Sequence, residues 1–565
     1  MLEALGVGLG ALAILLTFAP DAPFTRELGV CEAGAVRDIL AGNIIVPHMV
    51  PGPPVHVPPL YWWVVAAWVR MFGWNEFAFR IWSIVPAAVT CAVVYLWTAL
   101  RIRREAALWA VAVLLFGHVF IDAARQPRMD AMLMMFVTAA IVSLETALRS
   151  HEWLWFLIGA AAIGLGYLTK SILGIAIPGL VIAAYLIVRG RIRDLFSPAL
   201  IAAFTLGLVI GCSWYAAAYA VAGSNVLVFQ IETHLLKRFI PAAMGGADYC
   251  VNPFWYFAPL IVVGALPWTL YSGSFGLAVW ERRRALPEPI VFALCWFAAI
   301  LLFFSASRGK CQVYILPDFV PLAILLGWTI DLVCNDRPSA PVARLFAAGS
   351  IAVAIAAALS VLGAIIAIAR GVPDTWLARL HPTDRHFAEI FLNLADARDY
   401  HVLTWMVLSA LGVLLIARGL VRRQATFHVF GVLIIAVAAS RFWFGCMNPE
   451  LAERETLRGF DREVLNLVPP DKAIGHLGME DCDLYFYSPR PIAPIYRFRC
   501  DAQPPLPPFI LLRKSRFDAM APAQRACLTP VLISNAVDGE GPRMLVQQSG
   551  AAPSTPSADG VSPAP

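Results

Sequence analysis

The feature that most constrains this chain is the recurrence of apolar runs of bilayer length, separated by short clusters of basic residues. A helix that crosses the hydrocarbon core needs roughly 17 to 25 mostly apolar residues. Runs of that kind lie at about 3–19, 81–100, 106–123, 131–148, 153–168, 172–189, 197–221, 254–280, 288–306, 314–333, 345–369, 402–417 and 426–446. They predict an all-α polytopic membrane protein with about 13 transmembrane helices, because helices satisfy every backbone polar group within the segment. Composition agrees: 59% of residues are hydrophobic and 14% charged, where a soluble domain carries about 25% charged residues. The first run has neither a basic n-region nor a small-residue cleavage site, so it is read as an anchor.

Alternating these spans places "RIRR" (101–104), Arg149, "RGRIR" (189–193), "RRR" (282–284), Arg337 with Arg344, and Arg418 with Arg422 and Arg423 on one side. The positive-inside rule makes that side the cytoplasm, with the N-terminus on it and the region beyond 447 outside. The net charge of +5 is thus spent on topology; the short basic clusters offer no continuous face for nucleic acid. The eleven cysteines form no CxxC or Cys/His zinc spacing.

The outer loops are the long ones: 20–80, 222–253, 370–401 and everything after 447. Long loops carry function, so the working face is expected outside. Residues 1–447 read as the membrane domain, and 448–548 as a small external α/β domain with strand-like stretches such as "DKAIGHLG" and "PFILLRK". Cys482 and Cys500 in it form a disulfide or remain two buried thiols. Residues 549–565 have the composition of a disordered tail.

Charges at membrane depth are costly and tend to mark function. In "TRELGVCEAGAVRDIL" helical spacing over about 31–41 predicts a short interfacial helix, with Glu32, Arg37 and Asp38 either functional or simply its solvated face. Glu27, ahead of that helix, is the better positioned acid. "ARQPRMDAMLMMF" puts Asp130 at the outer start of a span, as an N-cap or as a buried functional acid beside Arg125 and Arg128. Lys170 in "LTKS" either snorkels or meets an anion. "ETHLLKRF" sets His234 and Arg238 four residues apart with Lys237 adjacent, a spacing that suits a phosphate or, through His234, a metal. "SASRGKCQVYILPDF" brings Arg308, Lys310 and Tyr314 to one outer mouth. Acids beside several cations at membrane depth suit transfer of a group from a lipid phosphate: a carboxylate activates an acceptor hydroxyl, and the cations stabilise the departing phosphate. With no Walker or Rossmann glycine pattern, the energy comes from the activated lipid.

In this order and spacing, "RELGVCEAGAVRDIL", "GNIIVPHMV", "HVPPLYWW", "ARQPRMD", "LTKS", "HLLKRF", "NPFWYF" with "LPW", and "KCQVYILP" resemble the GT-C membrane glycosyltransferases over about residues 20–335. The branch is that of bacterial protein O-mannosyltransferase and lipid A aminoarabinose transferase-like enzymes. The resemblance implies a GT-C-like fold and transfer of a sugar from a polyprenyl-phosphate donor to a lipid or protein acceptor on the outer face. It implies Glu27, with Glu32 as competitor, and Asp130 as the catalytic acids. Arg238, Lys310, Tyr314, Lys170 and Lys237 would form the donor-phosphate neighbourhood. His56, Tyr61 and Trp62 would wall the donor side, and a divalent metal, if any, would fall to His56 and His234. Where the family has Glu-Lys before the proline pair, this chain has His56 and Val57, which implies an altered donor or acceptor, or lost activity. The rival readings are a transporter and a non-catalytic binder of lipid-linked sugar.

Overall fold

The computed structural model describes residues 1–18, 22–24, 33–49, 54–55, 57–224, 251–307, 309–336, 338–380, 382–396, 399–478, 482–488, 490, 492–495, 497–500, 506–534 and 541–548. The chain divides into two compact units. One comprises Met1–Ala22, Ala35–His48 and Pro54–Leu451, the other Pro23–Gly34, Met49–Pro53 and Ala452–Pro565.

The first unit is a helical membrane bundle. Its early helices are α1 (Leu2–Thr17), α2 (Ala33–Leu40), α3 (Leu60–Phe72), α4 (Glu76–Arg101), α5 (Arg104–Leu115), α6 (His118–Arg125), α7 (Asp130–Ser150), α8 (Trp153–Lys170), α9 (Leu173–Val188) and α10 (Pro198–Ala222). Among the described residues, nine helices are long and apolar enough to cross a membrane, and two bent pairs bring the number to 11. Two of the expected continuous spans are broken. α5 and α6 meet at 63° around Gly117, and Phe254–Gly264 meets Trp268–Arg282 at 101°. Pro267, which lacks a backbone donor, stands in the second break. α1 and α9, 16 residues each, rise only about 24 Å at 1.5 Å per residue.

α3 lies within the outer loop 20–80, where the sequence suggested a re-entrant or interfacial segment over 53–63 and no helix of this length. Tyr61, Trp62, Val65, Ala66 and Val69 are its buried residues, and their i, i+4, i+8 spacing makes one apolar stripe. Tyr61 and Trp62 are therefore core residues of this unit, 2% and 0% exposed. Trp63 donates its indole N–H to the Ile44 carbonyl (2.7 Å), and Trp214 does the same to Ile45 (2.7 Å), which pins the chain before α3.

One end of the bundle holds one set of paired charges. Arg101 at the end of α4 meets buried Glu145 on α7 at 2.6 Å, and Arg103 meets buried Asp331 at 2.6 Å. Arg149 reaches Glu288 at 2.8 Å. Several of the residues that encode topology are thus also partners of acids on neighbouring helices.

α8 is held by backbone-to-side-chain packing that leaves no room for a methyl group. A Cβ on Gly207 would lie 2.6 Å from Ile163, and one on Gly211 would lie 2.5 Å from Tyr167. A Cβ on Gly174, at the start of α9, would lie 2.2 Å from the Gly166 backbone. Small residues let membrane helices approach this closely, and here they fix the turn that follows Lys170. Gly174→Ala is expected to destabilise the bundle by about 1–3 kcal/mol through overpacking, whereas Gly363→Ala, with no atom within 4 Å, should be neutral. Thermal midpoints of the two variants in detergent test this; equal midpoints would contradict it.

The second unit carries a five-stranded sheet of order β2-β1-β3-β5-β4, formed by β1 (Ile474–Leu477), β2 (Ile492–Ile495), β3 (Phe509–Arg513), β4 (Leu528–Ile533) and β5 (Arg543–Gln548). β1 pairs in parallel with β2 and β3, while β5 runs antiparallel to both β3 and β4. In β3, Phe509 and Leu511 join one apolar cluster, and Ile510 and Leu512 the other. Both faces are covered, which explains why "FILL" is continuous rather than alternating. Phe24 belongs to this unit: its N–H donates to the Tyr487 hydroxyl (2.7 Å), and its ring meets Phe486 edge-on at 4.7 Å. The disulfide of the sheet is Cys500–Cys527, not Cys482–Cys500. Cys527 immediately precedes β4, and its Cα lies 6.0 Å from that of Cys500.

Candidate active site

Asp130 is the first residue of α7, and Met129 holds the N-cap position without any side-chain cap. The Asp130 carboxylate is therefore not spent on capping. It is 5% exposed, its Oδ2 accepts from Arg128 Nε at 3.2 Å, and its Oδ1 accepts a short bond from Lys170 Nζ. Arg128 is set by its own backbone: Ser83 on α4 donates to its carbonyl (2.9 Å) and accepts from its N–H (3.2 Å).

Lys170 is the last residue of α8, and Ser171 turns the chain at φ 55°. Its ammonium lies 5.2 Å from the centroid of the Tyr314 ring, a cation–π contact of about 0.5–2 kcal/mol. Tyr314 sits on the 3-10 helix Gln312–Asp318. The structure thus brings together Asp130, Lys170 and Tyr314, three of the residues expected from the sequence, with Arg128 as a fourth. Lys170 is a partly buried ion-pair partner, not a snorkelling side chain.

Lys310 is 5% exposed and donates to the carbonyls of Asn252 (3.0 Å) and Ser307. Asn252 returns a bond from its amide to the Lys310 carbonyl at 3.0 Å, beside the Val251–Gly309 bridge. Among the described residues no carboxylate lies within ion-pair distance of this ammonium. Two carbonyls leave one of its three N–H donors for an anion. Burial lowers the Lys310 pKa below the ordinary lysine value.

Asp38 and Arg37 are not merely a solvated face. Asp38 accepts from Asn43 Nδ2 and from the His48 N–H, both at 2.7 Å, and Arg37 lies over the Trp74 ring at 4.8 Å. Val57, where the family resemblance implies a lysine, is buried. Glu27, Glu32, His56, His234, Lys237, Arg238 and Arg308 lie outside the described residues. Sequence reasoning passed over Ser83 and Asn252, whose signal is three-dimensional. It also passed over Asp318, fully buried at the head of an apolar helix with neither carboxylate oxygen hydrogen-bonded among the described residues; a lone acid in a membrane span was signal enough.

Residues 56–216 match the family model of dolichyl-phosphate-mannose-protein mannosyltransferases. A crystal structure of ArnT from Cupriavidus metallidurans bound to undecaprenyl phosphate superposes with a TM-score of 0.71, covering 96% of this chain and 97% of that one at 20% identity. The chain shares the ArnT fold. This is the GT-C-like architecture that the motifs implied. In sequence the chain is similar to the undecaprenyl phosphate-alpha-4-amino-4-deoxy-L-arabinose arabinosyl transferases of Erwinia tasmaniensis, 33% identical over 302 residues, and Pseudomonas aeruginosa, 31% identical over 296. The matched stretch spans about half the length of these relatives, 52% of each, and 52% and 51% of this chain. The Asp130, Lys170 and Ser83 positions of the ArnT-like fold fall inside the family-model match, and Lys310 and Tyr314 beyond it.

Asp130 holds two cations in place, so its loss leaves Lys170 and Arg128, 13% and 19% exposed, without their counter-charge. Breaking a buried pair from one side costs about 3–5 kcal/mol. Asp130→Asn is expected to lower the thermal midpoint in detergent more than Lys170→Met, which leaves Asp130 paired with Arg128. A larger loss in Lys170→Met would contradict this.

Proposed function

We propose that this multi-pass membrane protein is a glycosyltransferase that moves a sugar, in the pentosyl or hexosyl class, from a polyprenyl-phosphate donor to a lipid or protein acceptor. The observation that carries the reading is a buried carboxylate holding Lys170 beside Tyr314, at the boundary of a bundle with the ArnT fold. The curated relatives are named as arabinosyl transferases that use an undecaprenyl-phosphate-linked aminoarabinose, which makes a polyprenyl-phosphate pentose the first donor to test.

In the proposed reaction the acceptor hydroxyl oxygen bonds to the anomeric carbon while the bond from that carbon to the phosphate oxygen breaks, with inversion. The hydroxyl proton passes to a carboxylate, and the polyprenyl phosphate leaves with the bonding pair. Lys170 and Lys310 meet the growing phosphate charge, with Arg238 and Lys237 of the 222–253 loop as further cations. Both oxygens of Asp130 already accept from cations, so Asp130 acts as a positioning residue. Acceptor activation then falls to Glu27 or Glu32. The missing family lysine at Val57 is offset by Lys310, whose ammonium faces no acid among the described residues.

The same reading places the chain in a bacterial inner membrane, with the N-terminus and the Arg101, Glu145 and Glu288 end in the cytoplasm. Asp130 lies 15 residues from Glu145 along α7, about 22 Å at helical rise, which places it toward the opposite, external side. The test offers labelled polyprenyl-phosphate aminoarabinose to right-side-out and inverted vesicles that contain the protein and endogenous acceptor lipid. Transfer is expected from right-side-out vesicles only, and to fall at least about 100-fold in Lys310→Ala and Lys170→Ala, the scale of one lost oxyanion donor. Uptake without covalent transfer, or turnover unchanged in both variants, would overturn the assignment.

A further inference from the structure

The helices Tyr400–Arg422 and Ala425–Phe442 form an antiparallel hairpin. They touch where a Cβ on Gly412 would lie 2.7 Å from the Gly431 carbonyl oxygen and one on Gly431 would lie 2.6 Å from the Gly412 oxygen. At its open end three different ligand types converge. Asp399 caps the first helix, accepting from the His401 N–H at 2.7 Å. The His401 Nδ1 lies 3.0 Å from the same carboxylate oxygen, and the Cys446 Sγ lies 3.9 Å from it. Cys446 is buried and belongs to a single π-helical turn, Trp443–Met447, a geometry that inserts an extra residue and is frequent at functional sites. One ligand atom from each residue lies within 4.8 Å of the other two.

We propose that Asp399, His401 and Cys446 bind a zinc ion that staples the open end of this hairpin. Zinc takes thiolate sulfur at about 2.3 Å and imidazole nitrogen or carboxylate oxygen at about 2.0–2.2 Å, in tetrahedral geometry. The edges of that tetrahedron are then about 3.3–3.7 Å, so ligand atoms now 3.0 and 3.9 Å apart reach it through small side-chain rotations. On binding, the metal replaces the thiol proton and takes the imidazole lone pair. Thiolate and carboxylate together cancel the charge of the ion, which suits a site at the end of membrane helices where unpaired charge is costly. A fourth position is left for water. None of the three ligands takes part in the Asp130–Lys170 constellation, and the site is distinct from the His56 and His234 pair raised by the sequence.

The full chain, purified in detergent and stripped with a chelator, is titrated with cobalt(II) and then with zinc. Wild type is expected to give a cobalt–thiolate charge-transfer band that zinc bleaches, and zinc should raise its thermal midpoint. Cys446→Ser should abolish the band. Asp399→Asn, which keeps a capping oxygen for the helix, should fold normally yet bind cobalt at least about tenfold more weakly, the scale seen when a metal shell is disturbed. His401→Gln should do the same. A band that persists in Cys446→Ser, no band in wild type, or unchanged affinity in both Asp399→Asn and His401→Gln would overturn the proposal.

Discussion

The partly buried contact between Asp130 and Lys170 is the interaction on which the candidate site depends. It joins the start of one membrane helix to the end of the next, 40 residues apart in sequence. Each partner is taken out of water, a cost of several kcal/mol per ion that only close pairing and further hydrogen bonds repay. Arg128 and the Tyr314 ring supply those further contacts. The constellation carries two cations against one carboxylate, so it has an excess of positive charge that suits a phosphate. The glycine contacts of α8 with α9 and α10 matter for the same reason: they decide where Lys170 ends.

Much of the bundle was legible in the sequence because length and hydrophobicity alone mark a membrane helix. The bends at Gly117 and Pro267 were not, since a run such as 106–123 stays apolar through a break. α3 was obscured for the opposite reason: 13 residues behind a proline-rich approach are too few to read as a span. Asp130, Lys170 and Tyr314 could each be singled out as costly at membrane depth, but their partnership could not. A salt bridge between residues 40 apart in sequence leaves no periodicity. The same limit hid Asp399, His401 and Cys446, whose grouping needs the hairpin to close.

The second unit shows how a short loop segment can be claimed by a distant domain. Phe24, only two residues before the Arg26-Glu27 pair, is held by Tyr487 and Phe486 through its backbone and its ring. Thr456 adds a bond to the Phe24 carbonyl at 3.4 Å. A sequence boundary at 448 follows the change in composition, whereas the contacts place it after Leu451 and add Pro23–Gly34 and Met49–Pro53. Phe24 is thereby anchored within the sheet-bearing unit, a constraint that linear reading assigns to the membrane domain.

The most direct measurement is a double-mutant cycle on lipid-phosphate affinity, using undecaprenyl phosphate with wild type, Asp130→Asn, Lys170→Met and the double variant. If Asp130 works by holding Lys170, the two losses overlap. The double variant should then bind about as weakly as Lys170→Met, with a coupling of about 1–3 kcal/mol. Losses that simply add, or an Asp130→Asn variant that binds as wild type does, would contradict the account.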